Sequence, residues 1–189
     1  MKNILIFASG SGTNAEKIIQ YFKNSENFNA NFNIKIYSNN PNAGVIKRAE
    51  NLNIPTQIFT KEEYRSPQFL NNIIKFNPNL IVLAGFLWLI PESFVKAFPN
   101  KIINLHPALL PNYGGKGMYG HFVHEAVIKN KEKESGITIH FVNENYDEGN
   151  IIHQAKYTIS ETDTPESIAL KGQKLEHEWF PKIVEKLLN

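Results

Sequence analysis

The chain contains no cysteine. That removes disulfides, thiolate metal sites and a cysteine nucleophile together, and it leaves the redox compartment unread. A strong excess of either charge is missing too: 20 Lys and Arg stand against 18 Asp and Glu, a formal +2, so the balance gives no argument for a polyanion and nucleic acid is not expected as a partner. There is no long apolar run. The longest, Leu80 to Ile90, falls well short of the about 20 residues that cross a bilayer and is closed by Pro91. Ile4 to Phe7 is too short and strand-like for a signal peptide. These absences point to a soluble, cytoplasmic protein with no membrane partner, whose chemistry relies on groups other than thiols. With 189 residues, 42% of them hydrophobic, the chain can bury one sizeable core.

Short apolar runs alternate with helical spacing through the first half. Ile4 to Ala8, Ile34 to Tyr37, Thr56 to Phe59 and Leu80 to Ala84 read as strands. Between them, Ile18, Ile19 and Phe22, then Val45, Ile46, Ala49 and Leu52, then Phe69, Leu70, Ile73 and Ile74 recur at helical spacing. This rhythm predicts βαβ units and a parallel sheet covered on both faces. A fifth strand, Lys101 to Leu105, leads into a Pro- and Gly-rich loop from Pro107 to Gly117, and loops of that length in ordered domains tend to be functional. After a helix near His124 to Lys129, Gly136 to Val142 and Ile151 to Thr158 alternate like antiparallel strands, and a helix from about Pro165 to Leu188 closes the chain. The Asn-rich stretch Asn24 to Asn33 reads as a surface loop. The expected fold is α/β: a Rossmann-like open twisted sheet, mostly parallel with an antiparallel C-terminal part, and helices on both faces. One domain is expected over 1–189, with 1–100 as a phosphate-binding half and 101–189 as a catalytic and ligand-binding half.

The first strand runs into Ser9-Gly10-Ser11-Gly12-Thr13-Asn14-Ala15 and then a helix. Glycines let the backbone turn sharply and approach a ligand, and the free N–H groups at a helix start favour an anion. A phosphate site at Gly10 to Asn14 therefore competes with a simple strand-to-helix turn capped by Thr13. Gly10, Gly12 and Ala15 also fit the G-x-G-x-x-A dinucleotide pattern, but the acid expected after the second strand is missing: Ser38-Asn39-Asn40-Pro41 stands there, with no acid before Glu50. A phosphorylated substrate suits the loop better than NAD.

At the end of the fifth strand, Asn104 and His106 are two residues apart and so point to the same side, beside the carboxyl ends where α/β sheets bind ligands. A lone histidine there can be a hydrogen-bonded structural residue; a neighbouring Asn favours a site.

The run Asn104-Leu105-His106-Pro107-Ala108-Leu109-Leu110-Pro111 follows Gly10-Ser11-Gly12-Thr13-Asn14 and precedes two further elements, Gly136-Ile137-Thr138-Ile139-His140-Phe141-Val142 and Tyr146-Asp147-Glu148-Gly149. Together these resemble the folate-dependent formyltransferase family. The resemblance extends from the first strand into the final helix, and length and the early loop are most similar to the branch that formylates glycinamide ribonucleotide in purine biosynthesis. It implies 10-formyl-tetrahydrofolate as co-substrate, glycinamide ribonucleotide as acceptor, no metal, and a monomer or homodimer. It implies that Asn104 and His106 stabilise the oxygen that becomes negative as the amine attacks the formyl carbon, and that Asp147 orients the imidazole, favours its charged form and helps move protons. Gly10, Ser11, Gly12, Thr13 and Asn14 would hold the ribonucleotide phosphate, with Glu176 at the glycinamide end; the competing reading of Glu176 is a solvated helix face.

For the folate, the resemblance implicates Leu87, Trp88, Leu89 and Ile90 in the apolar segment Leu83 to Ile90, with Asn104 and the turn Asn143, Glu144, Asn145, Tyr146 and Asp147 as the opposite wall. Part of Leu83 to Ile90 must also be strand core. Trp88 stands where many relatives carry Arg, so it can pack instead of meeting a folate tail. The loop Tyr113 to Gly120, then His121 and His124, departs from the shorter family pattern and leaves the roles of both histidines and of Lys116 open. Within the family, an appended RNA-binding or regulatory domain would be expected of a methionyl-tRNA formyltransferase or a formyl-tetrahydrofolate hydrolase, and a sugar-nucleotide N-formyltransferase is a further alternative. A non-catalytic nucleotide-binding module would need the glycine loop but not Asn104, His106 and Asp147 together.

Overall fold

The computed structural model describes residues 1–24 and 31–189. Strands β1 (Lys2–Phe7), β2 (Phe32–Ser38), β3 (Thr56–Ile58), β4 (Leu80–Leu83), β5 (Ile102–His106), β6 (Glu134–Phe141) and β7 (Ile151–Thr158) form one sheet in the order β3-β2-β1-β4-β5-β6-β7. The pairs from β3 to β5 are parallel; β6 runs antiparallel to β5, and β7 to β6. The mostly parallel sheet with an antiparallel C-terminal part follows the alternation of apolar runs. β5 reaches one residue further than expected and ends on His106 itself.

Helices α1 (Thr13–Lys23), α2 (Gly44–Asn51), α3 (Lys61–Arg65), α4 (Pro67–Phe76), α5 (Glu92–Ala97), α6 (His121–Lys129) and α7 (Pro165–Leu188) cover the sheet. In a strand buried on both sides, alternate residues belong to opposite faces. Ile4 and Ile6 of β1 accordingly join Ile18, Ile19 and Phe22 of α1, Val45 of α2, and Phe180 and Val184 of α7. Leu5 and Phe7 join Tyr64 of α3, Phe69 and Ile73 of α4, and Phe94 of α5 on the other face. A smaller cluster of Ala108, Val123, Val127, Ile159 and Ile168 sits beneath α6, with Tyr113 and Met118 packed against it.

Two short helices, α3 and α5, are not foreseen by the periodicity, since five or six residues are too few for a helical apolar pattern. The signal for α3 is its start: Thr60 accepts from the Glu63 N–H and the Glu63 carboxylate accepts from the Thr60 N–H, a reciprocal cap. Of the stretch Asn24 to Asn33 expected as a loop, residues 25–30 lie outside the described residues, and Phe32 and Asn33 already belong to β2. No helix among the described residues is long and apolar enough to cross a membrane.

Phe59 is the centre of the aromatic face. It is 2% exposed and its ring lies 4.8 Å from Phe69, 5.5 Å from Tyr64, 5.9 Å from Phe7 and 6.0 Å from Trp88. Phe59→Ala should lower the unfolding free energy by about 3–5 kcal/mol, read as a lower urea midpoint at unchanged slope. A loss below about 1 kcal/mol would mean that the cluster closes over the vacated space.

Candidate active site

The turn between β1 and α1 is built around Gly12, which has φ +76° and caps α1 with no side-chain hydrogen bond. A Cβ there would lie 2.4 Å from Val45 Cβ, so only glycine fits. Thr13, the cap in the competing reading of a simple turn, is instead the first helical residue. No side chain caps α1, whose first-turn N–H groups are therefore free to meet an anion. Arg48 lies alongside, but its Nε–H donates to the Ser11 carbonyl at 2.9 Å and its guanidinium pairs with Glu16. Ser9 joins this turn to the segment after β4: its N–H donates to the Gly85 carbonyl and its hydroxyl accepts the Leu87 N–H, both at 3.1 Å.

Glu176 reaches this loop from α7. Its carboxylate accepts the Asn14 Nδ2–H at 2.7 Å, and burial raises its pKa against that hydrogen bond. It faces a cavity rather than bulk solvent. The cavity, about 740 Å³, is lined by Gly10 to Asn14, Leu83 to Ile90, Asn104, His106, Gly115 to Gly120, Asp147 and Glu176.

At its centre, Asn104 Nδ2–H donates to Asp147 Oδ1 at 3.4 Å, and His106 Nδ1 lies 3.5 Å from Asp147 Oδ2. The Gly115 N–H donates to the same Oδ2 at 3.0 Å. The remaining ring nitrogen of His106, Nε2, is 2.7 Å from the Tyr113 carbonyl, which makes Nε2 the protonated nitrogen of the neutral ring. Asp147 is brought here by a turn at φ +57°, and Gly149 makes that turn feasible, since a Cβ would sit 1.7 Å from the Phe141 carbonyl oxygen. The three residues, inferred from two separate motifs, thus form one cluster.

Burial lowers the pKa of His106 and outweighs the opposing pull of Asp147 and the Tyr113 carbonyl. Burial thus works against the imidazolium that the neighbouring carboxylate favours. Burial pushes Asp147 up, but contact with His140, the charge of His106 and the Gly115 N–H together bring it below the ordinary carboxylate value.

His140 was not singled out from the sequence. Its Nε2 lies 3.2 Å from Asn104 Nδ2 and 3.6 Å from Asp147 Oδ1, while its Nδ1 donates to the Phe141 carbonyl at 2.8 Å. A signal was present: Thr138 and His140 are polar residues at alternating positions of an apolar strand, and in register they face His106 and Asn104. The pairing of β6 with β7 shifts register beside Ile139 and His140, a bulge placed next to the site. Of the two histidines left open, His124 is buried and lines the cavity, with Nδ1 unpartnered, whereas His121 lies against the exposed Phe122 ring at 4.1 Å. Ala169, Gln173 and Lys116 also line the cavity.

Leu87, Trp88, Leu89 and Ile90 form one apolar arm of the lining, which also includes Val142, Asn145 and Tyr146. Trp88 packs on Tyr64, Phe59 and Phe86 with ring centres 5.5 to 6.1 Å apart. Asn143 and Glu144, expected in the opposite wall, are not among the lining residues. Asn143 Oδ1 accepts the Asn145 N–H and so shapes the turn from outside the cavity.

The formyl transferase family matches residues 2–184. Over 189 residues the chain is 38% identical to a chloroplastic phosphoribosylglycinamide formyltransferase of Arabidopsis thaliana, spanning 97% of this chain and 64% of that one. It is also 38% identical over 193 residues to phosphoribosylglycinamide formyltransferase of Bacillus subtilis, spanning all of this chain and 95% of that one. Among solved structures, glycinamide ribonucleotide transformylase 1 from Geobacillus kaustophilus superposes with a TM-score of 0.88 at 30% identity, covering 100% of both chains. Phosphoribosylglycinamide formyltransferase from Anaplasma phagocytophilum superposes at 0.87 and 30% identity, covering 99% of this chain and 87% of that one.

Gly12 cannot be used to test the phosphate loop, because any side chain strikes Val45; at Gly10 a Cβ meets nothing within 4 Å. Gly10→Asp should raise the KM of a phosphorylated substrate by about 10-fold or more by like-charge repulsion, while that of the second substrate stays nearly constant. Equal loss for both substrates in a folded variant would remove the phosphate assignment. For His106, an NMR titration of the free protein should give a midpoint below the ordinary histidine value of 6.5, because burial disfavours the charged ring. Asp147→Asn removes the charge that raises it, so the midpoint should fall further. A rise in that variant contradicts the pairing.

Proposed function

Because the chain belongs to the formyl transferase family, we propose that it moves the formyl group of 10-formyl-tetrahydrofolate to the amine of glycinamide ribonucleotide in purine biosynthesis. The observation that carries this reading is the meeting of Asn104, His106 and Asp147 between an uncapped helix start and an apolar slot, in a chain with full-length similarity to phosphoribosylglycinamide formyltransferases.

In this reading the α1 N-terminus and Gly10 to Asn14 hold the phosphate, and Glu176, which accepts a hydrogen bond from Asn14 and lines the same cavity, meets the glycinamide end of the acceptor. The apolar arm from Leu87 to Ile90, with Val142 and Tyr146, suits a flat heterocycle. Formyl folate is a substrate here and supplies the carbon that is transferred.

The amine nitrogen bonds to the formyl carbon, the bond from that carbon to the folate nitrogen breaks, and the proton lost by the amine ends on the departing nitrogen. Asn104 Nδ2 donates to the formyl oxygen as it gains charge, exchanging its long 3.4 Å contact with Asp147 for a stronger one. Neutral His106 takes the amine proton at Nδ1, the nitrogen that faces Asp147, and returns it to the leaving nitrogen. Asp147 stabilises the imidazolium while it exists, which a buried ring requires.

The test is incubation with 10-formyl-tetrahydrofolate and glycinamide ribonucleotide, following the folate product by absorbance. Release of formate without an acceptor, or transfer only to a sugar-nucleotide amine, would overturn the assignment. Asp147→Asn should lower kcat by about 100-fold or more with folate binding little changed, the range for losing one acid–base group. Adding His106→Ala should cost far less than the product of the two separate losses, because the residues act as one unit. Multiplicative losses would show that they act independently.

A further inference from the structure

The loop after β5 touches both members of the His106 and Asp147 pair with backbone groups of opposite polarity. The Tyr113 carbonyl accepts from His106 Nε2 at 2.7 Å, and two residues later the Gly115 N–H donates to Asp147 Oδ2 at 3.0 Å. Each contact matches its partner's need: a carbonyl holds the ring proton, and an amide holds the carboxylate. Gly114, between them, lets the loop lie on Asp147, since a Cβ there would be 3.2 Å from Asp147 Cβ and 2.5 Å from Leu110 Cδ2.

Such a conformation needs outside support. Tyr113 has φ +59°, a left-handed backbone that a bulky side chain rarely adopts without surroundings that enforce it. The support is visible at the other end of the side chain. The Tyr113 hydroxyl donates to Glu132 Oε1 at 2.6 Å and accepts from Asn130 Nδ2 at 2.9 Å, both in the segment that follows α6. Its ring packs against the cluster of Ala108, Val123 and Val127. The loop is thus tied through the Tyr113 side chain to the turn that follows α6.

We propose that Tyr113 to Gly115 is a backbone clip that sets the tautomer of His106 and the orientation of Asp147, with Tyr113 as a positioning residue and Glu132 as its anchor. The catalytic importance of the clip rests on the formyl-transfer reading; the tautomer it imposes does not. With the Nε2 proton committed to the Tyr113 carbonyl, the lone pair of His106 is at Nδ1, facing Asp147. The proton taken up in the reaction then arrives between the two residues that stabilise it. If the ring held its proton on Nδ1 instead, the basic nitrogen would face the Tyr113 carbonyl, and His106 could not take the amine proton beside Asp147.

Tyr113→Phe tests this because it keeps the ring and removes both hydroxyl hydrogen bonds; Glu132→Ala removes the anchor, and Glu132→Gln keeps an acceptor oxygen. Nitrogen-15 NMR of the ring reports the tautomer directly, a readout that a merely structural role would not move. In the unaltered protein, His106 should show the Nε2–H pattern. In Tyr113→Phe and Glu132→Ala it should shift towards a mixture, with kcat down on the order of 10-fold and both KM values within about 3-fold, as expected for misplacement of a reacting group. Glu132→Gln should restore most of both signals. An unchanged tautomer in the folded Tyr113→Phe and Glu132→Ala proteins overturns the clip, as does a changed tautomer at full kcat. If the unaltered protein transfers no formyl group, the functional reading fails on its own, and the tautomer shift still decides whether Tyr113 to Gly115 holds His106.

Discussion

Asp147 is a carboxylate taken out of water, and the architecture around it is arranged to make that tolerable. A buried charge is stable only if hydrogen bonds and opposing partners replace its hydration; stripping one partner from such a group commonly costs about 3–5 kcal/mol. Here the hydrogen bonds come from separate parts of the chain, the Asn104 Nδ2–H from β5 and the Gly115 N–H from the long loop, with the His106 ring on β5 and the His140 ring on β6 set beside the carboxylate. No single segment could provide them. The polar cluster therefore depends on correct pairing of β5 with β6, and the left-handed turn at Asp147 is held only because Gly149 lets the chain pass against the Phe141 carbonyl.

The sheet order explains why the cavity opens over this cluster. Strand order reverses between β1 and β4, so the connections leaving these neighbours run to opposite sides and open a crevice at their carboxyl ends. The glycine turn leaves from β1 and the apolar arm from β4, and Ser9 ties the two together through Gly85 and Leu87. β5, next to β4, delivers Asn104 and His106 to the same end. Packing holds this arrangement from below: Phe7 and Phe86 touch at 5.2 Å, and Phe59 supports Trp88. Displacing a core aromatic would thus be felt in the apolar arm.

Much of this was legible in the order of residues, for identifiable reasons. The alternating buried strands and the amphipathic helices are local patterns, and Asn104 and His106 share a strand, so their common side follows from pleating alone. Asp147 was accessible through the motif it belongs to. His140 was not, because its role arises from register with Asn104 on another strand, and register is a non-local fact. The competing reading of a turn capped by Thr13 fails for a different reason: the left-handed Gly12, packed against Val45, is itself the residue before the helix. The charge state of His106 also depends on burial, which a neighbouring Asp in a motif does not reveal.

That charge state bears on how the cavity manages its ligands. Among the described residues lining it, Lys116 is the single Lys or Arg, against two carboxyl groups, Asp147 and Glu176. On the proposed reading, a phosphorylated ligand at Gly10 to Asn14 would be held chiefly by amide N–H groups and the α1 dipole, worth about 0.3–1 kcal/mol at an exposed helix start and up to about 2 kcal/mol when partly buried. Fixed dipoles of this kind act at short range and leave the potential near His106 governed by Asp147. A cluster of arginines would bind phosphate more tightly, but its field would oppose a transient imidazolium in the same low-dielectric cavity. On the formyl-transfer reading, neutral recognition of the anion and stabilisation of a passing positive charge would be compatible, because the phosphate would be met by backbone and the proton by the Asp147 carboxylate.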